Sequence, residues 1–297
     1  MQAIGNDINQ AKPQPDVAVT DETINYNRAD DYSLFLQLGA DNCTYSLLDK
    51  ERNTFVSLHN FPFYHIHPEE KVFERLNLIL NEGPVISEKI YSKVFVSVVN
   101  NISTIVPEAI LQEGEEKNFL SLNHFLNNND HFYSDKIRAI DAMNIYAVNK
   151  KTTDVINTRF TAAEIRHFST SLIENLIIRN KNKEERQVFL HVQPSHFEVI
   201  VIKGKSLLFY NSFFYKAPED LIYFLLNVFE QLQLNPETVP VNLLGEIEKR
   251  SGIYNLLNKY VRFIEFSSRP DNVNFSYGFH DVPAHYYYSL FSLVSCV

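Results

Sequence analysis

The amino-acid sequence predicts an α/β fold in which one β-β-β-α-β unit occurs twice. Three short apolar-rich runs, a predicted helix and a mostly apolar run follow one another in residues 34–99, and the same order returns in residues 188–244. The predicted helices begin alike, with Pro68-Glu69-Glu70 in the first unit and Pro218-Glu219-Asp220 in the second. Because the units lie about 150 positions apart, we interpret them as an internal duplication.

The first unit has the signals of a strand meander followed by a helix. Residues 34–38, 43–48 and 54–61 are short apolar-rich runs with polar turns between them, which predicts three strands. Pro68 and the acidic residues after it are typical of a helix start, and the apolar positions that follow have helical spacing. Residues 94–99 are apolar almost without alternation, as in a central strand that is covered on both faces.

The second unit repeats these signals. Residues 188–192, 197–202 and 206–214 predict three strands joined by short turns. A helix is expected to begin at Pro218, and residues 239–244 stand where the central strand of the first unit stood.

The residues between the units contain further elements. Residues 118–126 predict a helix, and residues 137–148 predict one or two strands. Residues 161–178 predict a long amphipathic helix, because Thr161 and Glu164 have capping-box spacing and apolar residues follow at helical intervals. The charged residues 179–186 are expected to form a linker.

The order of these elements predicts a leader and two domains. Residues 1–30 are polar and are expected to be a flexible leader. Residues 31–150 together with 272–297 are assigned to the first domain, and residues 151–271 to the second. The C-terminal residues are expected to dock on the first domain through an apolar stripe at helical spacing, formed by Tyr287, Leu290, Phe291 and Val294.

Charge and composition exclude several classes of function. The formal net charge of −9 repels the phosphate backbone, so we expect no nucleic-acid partner. No apolar run reaches the length of about 18 residues that a membrane span needs, and no Lys or Arg follows Arg269 to give the C-terminal stripe a basic face. We therefore expect no direct membrane insertion. Two cysteines and an N-terminus without the apolar core of a signal peptide predict a cytoplasmic location.

Glycine usage limits the chemistry further. The chain has 8 glycines, of which the two closest are Gly245 and Gly252. This spacing excludes the motifs G-x-G-x-x-G, G-x-x-x-x-G-K-S/T and G-x-S-x-G. Glycine-rich dinucleotide loops, P-loops and hydrolase nucleophile elbows are therefore excluded.

The doubled unit resembles the superfamily of actin, sugar kinases and heat-shock ATPases. Within it, the chain is most similar to the bacterial actin-like proteins of cell division and type IV pilus assembly. Residues 32–297 resemble a family of uncharacterised bacterial proteins that share this fold. The resemblance implies a duplicated actin-like (ribonuclease H-like) fold of two domains.

The resemblance also implies where a nucleotide would bind. In that superfamily, a turn of the form D-x-G-x-x in each half holds phosphate, and its aspartates hold hydrated Mg²⁺. Here Gln37 and His191 stand at the two carboxylate positions, and the adenosine-binding G-G-x sequence becomes Gly245-Glu246-Ile247. The candidate residues of the interdomain cleft are Gln37, Gly39, Asp41, Asn42, His191, Gln193, Ser195, Gly245 and Glu246.

These replacements predict that the ATPase chemistry is lost. Mg²⁺ prefers anionic oxygen ligands, which the Gln37 amide and the His191 imidazole do not supply. We expect an interaction or scaffold protein with a protein partner, no cofactor and no ATP turnover. The alternative is an ATP-binding switch that uses ATP and Mg²⁺, with Asp41 as a replacement carboxylate.

Two other groups of side chains have residue types that occur in metal or hydrolase sites. His65 and His67 precede Glu69 and Glu70 and are weak candidates for a metal site, because a strand-to-helix loop more often places histidines on the surface. The adjacent Ser195 and His196 have the residue types of a hydrolase, but the sequence has no oxyanion loop to accompany them.

Overall fold

Two β-sheets with the same strand order form the centre of the protein. The structure is a computed structural model that describes residues 13–63, 69–86 and 91–296. The elements of the first unit are β1 (Val17–Thr20), β2 (Tyr32–Leu38), β3 (Asn42–Asp49), β4 (Thr54–Pro62), α1 (Glu69–Glu82) and β5 (Lys93–Val98).

The residues between the units add a small sheet, three helices and the last strand of the first sheet. In chain order these elements are β6 (Ser103–Pro107), α2 (Glu116–Ser121), β7 (Asp130–Ile137), β8 (Ala142–Asn149), α3 (Lys150–Arg159), β9 (Ala163–His167) and α4 (Phe168–Asn180). The strands β6, β8 and β7 form a separate antiparallel sheet, whereas β9 pairs with β5 in parallel.

The second unit forms the other large sheet, and the C-terminal residues follow it. These elements are β10 (Arg186–Val192), β11 (His196–Lys203), β12 (Ser206–Phe214), α5 (Pro218–Gln231), β13 (Val241–Gly245), α6 (Gly252–Tyr260), β14 (Ile264–Phe266), β15 (Asn274–Phe275) and α7 (Tyr288–Ser292). Helix α5 starts as the sequence predicts, because the Asp220 carboxylate accepts hydrogen bonds from the backbone N–H groups of Lys216 and Ala217.

The two large sheets repeat one topology. The first has the order β4-β3-β2-β5-β9, extended at its outer edge by β1 and β15, and the second has the order β12-β11-β10-β13-β14. In each sheet the three meander strands (β2, β3 and β4, or β10, β11 and β12) pair antiparallel in turn. The remaining two strands run parallel to β2 in the first sheet and to β10 in the second. The register also repeats, since Leu38 faces Cys43 in one hairpin and Val192 faces Phe197 in the other. This is the order and direction that the sequence repeat predicts.

Helices α4 and α7 lie between the two sheets. Leu172 and Leu176 of α4 pack with Phe189 and Ile200 of the second sheet. On the other side, Leu290 and Phe291 pack with Phe35, Phe55 and Phe95 of the first sheet. The apolar C-terminal stripe therefore contacts the first sheet, as the sequence predicts. Within the described ranges, no helix has the length and apolar character needed to cross a bilayer.

The long helix predicted over residues 161–178 is wrong in its first part. Residues 163–167 form β9, and the helix begins only at Phe168 with His167 as its N-cap. The segment Ala163–His167 alternates apolar and polar side chains, and the free edge of β5 pairs with it. Tertiary pairing outweighs the capping-box signal. Helix α4 is also buried on nearly all sides rather than amphipathic.

Two predicted boundaries also differ from the structure. Strand β9 belongs to the first sheet, so that sheet extends beyond residue 150, where its domain was expected to end. Residues 17–20 lie within the predicted flexible leader, but they pair with β4 as β1. The β-branched residues Val17, Val19 and Thr20, with burial that alternates along β1, and the open edge of β4 explain this strand. Residues 1–12 lie outside the described residues.

Candidate functional site

Two turns that occupy equivalent places in the repeated sheets meet between them. One joins β2 to β3 and contains Asp41, and the other joins β10 to β11 and contains Ser195. The hydroxyl of Ser195 donates a hydrogen bond of 2.5 Å to Oδ2 of Asp41. Both residues are half-buried. The candidate residues of the two halves are therefore joined directly, side chain to side chain.

A second contact joins the first turn to the end of β13. The amide of Asn42 donates a hydrogen bond to Oε1 of Glu246 over 3.2 Å. Burial, together with the negative charges of Asp16 and Asp41, raises the pKa of Glu246 to about 7. Glu246 is therefore a carboxyl group that is partly protonated near neutral pH, and it lies beside a second carboxylate.

Gly245 allows Glu246 to reach this position. Its φ is +81°, and a Cβ atom there would lie 2.1 Å from the carbonyl oxygen of Val192. Only glycine fits, because β13 and β10 approach so closely at this point. The backbone N–H of Glu246 donates to that same Val192 carbonyl over 2.8 Å.

Gln37 lies under the first turn and is tied to the C-terminal helix. It is buried, and its Oε1 accepts a hydrogen bond of 2.9 Å from the hydroxyl of Ser289. Gly39 begins the turn, and its N–H donates to the carbonyl of Asn42 over 3.0 Å. The position where a carboxylate was expected is thus a neutral amide that already has a partner.

His191, the equivalent of Gln37 in the second unit, also has a partner within the protein. Its Nδ1 lies 2.7 Å from Oε2 of Glu198, which is buried and also accepts a hydrogen bond from Ser212. Although burial opposes it, His196 and His191 hold the pKa of Glu198 below its usual value. Sequence reasoning missed Glu198, but the register of the hairpin places it directly opposite His191.

The second turn is held by its own backbone contacts. The N–H of Gln193 donates to the carbonyl of His196 over 2.9 Å, and its carbonyl accepts from the Tyr215 hydroxyl over 2.8 Å. Burial, with the charges of Glu246 and Asp41, raises the pKa of Tyr215 to about 12. Tyr215 therefore acts as a neutral hydrogen-bond donor that fixes the turn beside the two carboxyl groups.

A cavity of about 300 Å³ lies next to the first turn, away from the other candidate residues. Its lining is mostly apolar and comes from the ends of β2, β5 and β8 and from α1. Of the nine candidate residues, Gly39 alone is among the described residues of the lining. The contacts between the two turns are therefore separate from this cavity.

The metal candidates His65 and His67 fall outside the described residues, so their role stays a prediction. Within the part of the chain that the structure describes, no three His, Cys, Asp or Glu side chains are grouped so that they could hold a metal ion.

The fold resembles those of solved structures of other proteins. A protein from Bacteroides thetaiotaomicron VPI-5482 with an actin-like ATPase fold and unknown function has a TM-score of 0.79 and 20% identity, covering 93% of this chain and 100% of its own. A structure of the PilM–PilN type IV pilus biogenesis complex has a TM-score of 0.59 and 12% identity, covering 89% and 98%. Both likenesses establish the actin-like ATPase fold.

The sequence comparisons place the chain in a family. A comparison with curated proteins finds no significant match. Residues 21–264 match the family described as protein of unknown function, DUF3822. With most of its length matched and the actin-like ATPase fold, the chain belongs to the DUF3822 family.

Proposed function

We propose that this protein is an interaction or scaffold protein built on a catalytically degenerate actin-like ATPase fold. The observation that carries the proposal is the hydrogen bond between Ser195 and Asp41. It joins the two turns that, by the resemblance to actin-like ATPases, would otherwise hold the phosphates and Mg²⁺ between them. A triphosphate would have to break this contact to enter.

The chemistry of the surrounding groups supports the same proposal. Hydrated Mg²⁺ requires anionic oxygen ligands, and the two expected positions hold Gln37 and His191. Each already has a partner in the protein, Ser289 for Gln37 and Glu198 for His191. Glu246 adds a carboxyl group that, when ionised, repels a polyphosphate. We therefore infer that neither ATP nor Mg²⁺ is a cofactor.

The similarity to a complex of two proteins supports a protein partner. One of the structures that resemble this fold is a PilM–PilN type IV pilus biogenesis complex. We propose that this chain also acts by binding another polypeptide. We place it in the cytoplasm because two cysteines are too few for a secreted disulfide framework.

An ATP-binding switch is the second candidate, and Asp41 favours it. Its carboxylate lies on the β2–β3 turn and would face a nucleotide if the Ser195 contact opened. The two candidates differ in ATP turnover. We expect the full chain with Mg-ATP to release phosphate only at the rate of a buffer control. Turnover that is lost in Asp41→Asn but kept in Glu248→Gln, an exposed site nearby, would establish the switch instead.

A further inference from the structure

The two large sheets differ in whether another strand pairs with their outer edge. In the first sheet, the outer edge of β4 is covered by β1, which pairs antiparallel from Val17 opposite Asn60 to Thr20 opposite Ser57. In the second sheet, β12 holds the place of β4. Among the described residues, no strand pairs with the outer edge of β12. Strand β15 also pairs with β4 on that edge. In the described part of the chain, the repeated topology therefore has added strands on the outer edge of the first sheet and none on that of the second.

Strand β12 lacks the features that usually protect an exposed edge. Natural edge strands carry charged residues or proline, which prevent pairing with another chain. Ser206–Phe214 contains neither, and it is rich in aromatic and aliphatic residues. Leu208 is 42% exposed and Phe214 is 60% exposed. A strand of this composition has a strong tendency to pair with another extended segment.

The edge of β12 borders a groove of about 700 Å³. Residues 207–212 form one wall, and residues 103–105 of β6, itself an edge strand, form part of the other. The groove is polar, with amide and hydroxyl groups from residues such as Asn101, Asn123 and Ser212. His124 also borders it, with Nε2 3.1 Å from the carbonyl of Ser103.

The charge of the groove differs from that of the whole protein. The net charge of the chain is −9, but the described lining contains no Asp, Glu, Lys or Arg. A groove of this kind matches a segment without charged side chains, because a charged group would lose hydration there without gaining an opposite charge.

We propose that this groove binds an extended, uncharged segment of a partner polypeptide, which adds to β12 as an antiparallel strand. The main-chain groups of the β12 edge supply the hydrogen bonds, and the amide and hydroxyl groups of the groove contact the side chains of the segment. Strand β1 on β4 is the internal example of this arrangement. Because β6 walls the opposite side, the occupant is one segment rather than the edge of a second folded sheet. The inference rests on the proposed interaction function and names the partner's chemistry.

The test uses phage-displayed random peptides of about twelve residues, enough for one strand, selected against the full chain. The dissociation constants of the selected peptides are measured for the wild type, Leu208→Lys and Tyr223→Lys. Leu208 lies on the groove, whereas Tyr223 is 67% exposed on α5 and serves as the matched control. Hydrogen exchange locates the bound peptide on the protein.

We expect slower exchange of the β12 amides, binding weakened by about tenfold or more in Leu208→Lys, and unchanged binding in Tyr223→Lys. Peptides that slow hydrogen exchange at another surface and bind Leu208→Lys as tightly as the wild type would overturn the proposed groove site. That result would leave the proposed interaction function unchanged. Failure to select any peptide would also overturn the proposed groove site. The proposed function is tested separately, by the release of phosphate from Mg-ATP. A dimer of the wild type that Leu208→Lys abolishes would assign the edge to a second copy and overturn the proposal as well.

Discussion

Asp41 and Ser195 occupy equivalent positions in the two repeated hairpins, and the Ser195 hydroxyl donates a 2.5 Å hydrogen bond to the Asp41 carboxylate. The repeat thus brings a hydroxyl to the place where symmetry would put a second carboxylate. Two carboxylates at this distance would repel each other unless a cation or a proton lay between them. With serine on one side, the turns associate without either.

The Ser195–Asp41 contact is expected to stabilise the folded chain. Ser195→Ala and Asp41→Ala should each lower the free energy of unfolding by about 1 kcal/mol, and a double-mutant cycle should give a coupling of about 0.5–2 kcal/mol. Urea denaturation measures all three values. The exposed Ser206→Ala is the control and should have no effect. A coupling of zero would mean that the two turns are not joined in solution.

Glu246 gives the protein a specific pH dependence. Its pKa is raised from 4.5 to about 7, so between these values the folded chain binds a proton that the unfolded chain has lost. The contribution of this carboxyl group to the free energy of unfolding is fully present below pH 4.5 and is lost as the pH rises through about 7. Relative to Glu246→Gln, the wild type should lose about 2–3 kcal/mol of unfolding free energy between pH 5 and 8. Parallel curves for the two proteins would refute the raised pKa.

Gly245 should not tolerate a side chain. Gly245→Ala places a Cβ atom against the Val192 carbonyl in addition to the unfavourable positive φ, and it should cost at least about 3 kcal/mol. Gly114 has a similar φ of +85° with open space around it, so Gly114→Ala should cost only about 1 kcal/mol. Thermal unfolding of both variants separates steric clash from backbone strain. Equal losses would contradict the close approach of β13 to β10.

The C-terminal helix is expected to be essential for stability. Phe291 is completely buried against the first sheet, so Phe291→Ala should cost about 3–5 kcal/mol. Tyr277 is 91% exposed, and Tyr277→Ala should cost less than about 0.5 kcal/mol. If both variants melted at the wild-type temperature, the C-terminal residues would not be docked.

The repeated hairpins could be predicted because their signals are local. Alternation, short polar turns and the Pro218 helix start each depend on a few neighbouring residues, and the observed strands lie close to the predicted ones. The helical spacing of the apolar residues around Leu290 and Phe291 likewise predicts from the sequence alone that they are buried. By contrast, residues 163–167 form β9 because they pair with the free edge of β5. The capping-box pattern at Thr161 gives no sign of this pairing.

The residues of the candidate site could be predicted from the sequence, but the residues that they contact could not. Aligning the repeats identified Gln37 and His191, because equivalent positions share one offset. Their partners Ser289 and Glu198 depend on how the C-terminal helix and the β11 strand are placed in three dimensions. The pairing of Asn42 with Glu246 likewise joins residues that are distant in the chain. A single sequence holds no local signal for such contacts.

Calorimetric titration of Mg-ATP into the full chain shows whether the turns at Asp41 and Ser195 bind each other or a nucleotide. We predict no saturable heat for the wild type up to millimolar nucleotide. Saturable binding with a dissociation constant below about 1 mM, about −4 kcal/mol, that is lost in Asp41→Asn would contradict the account.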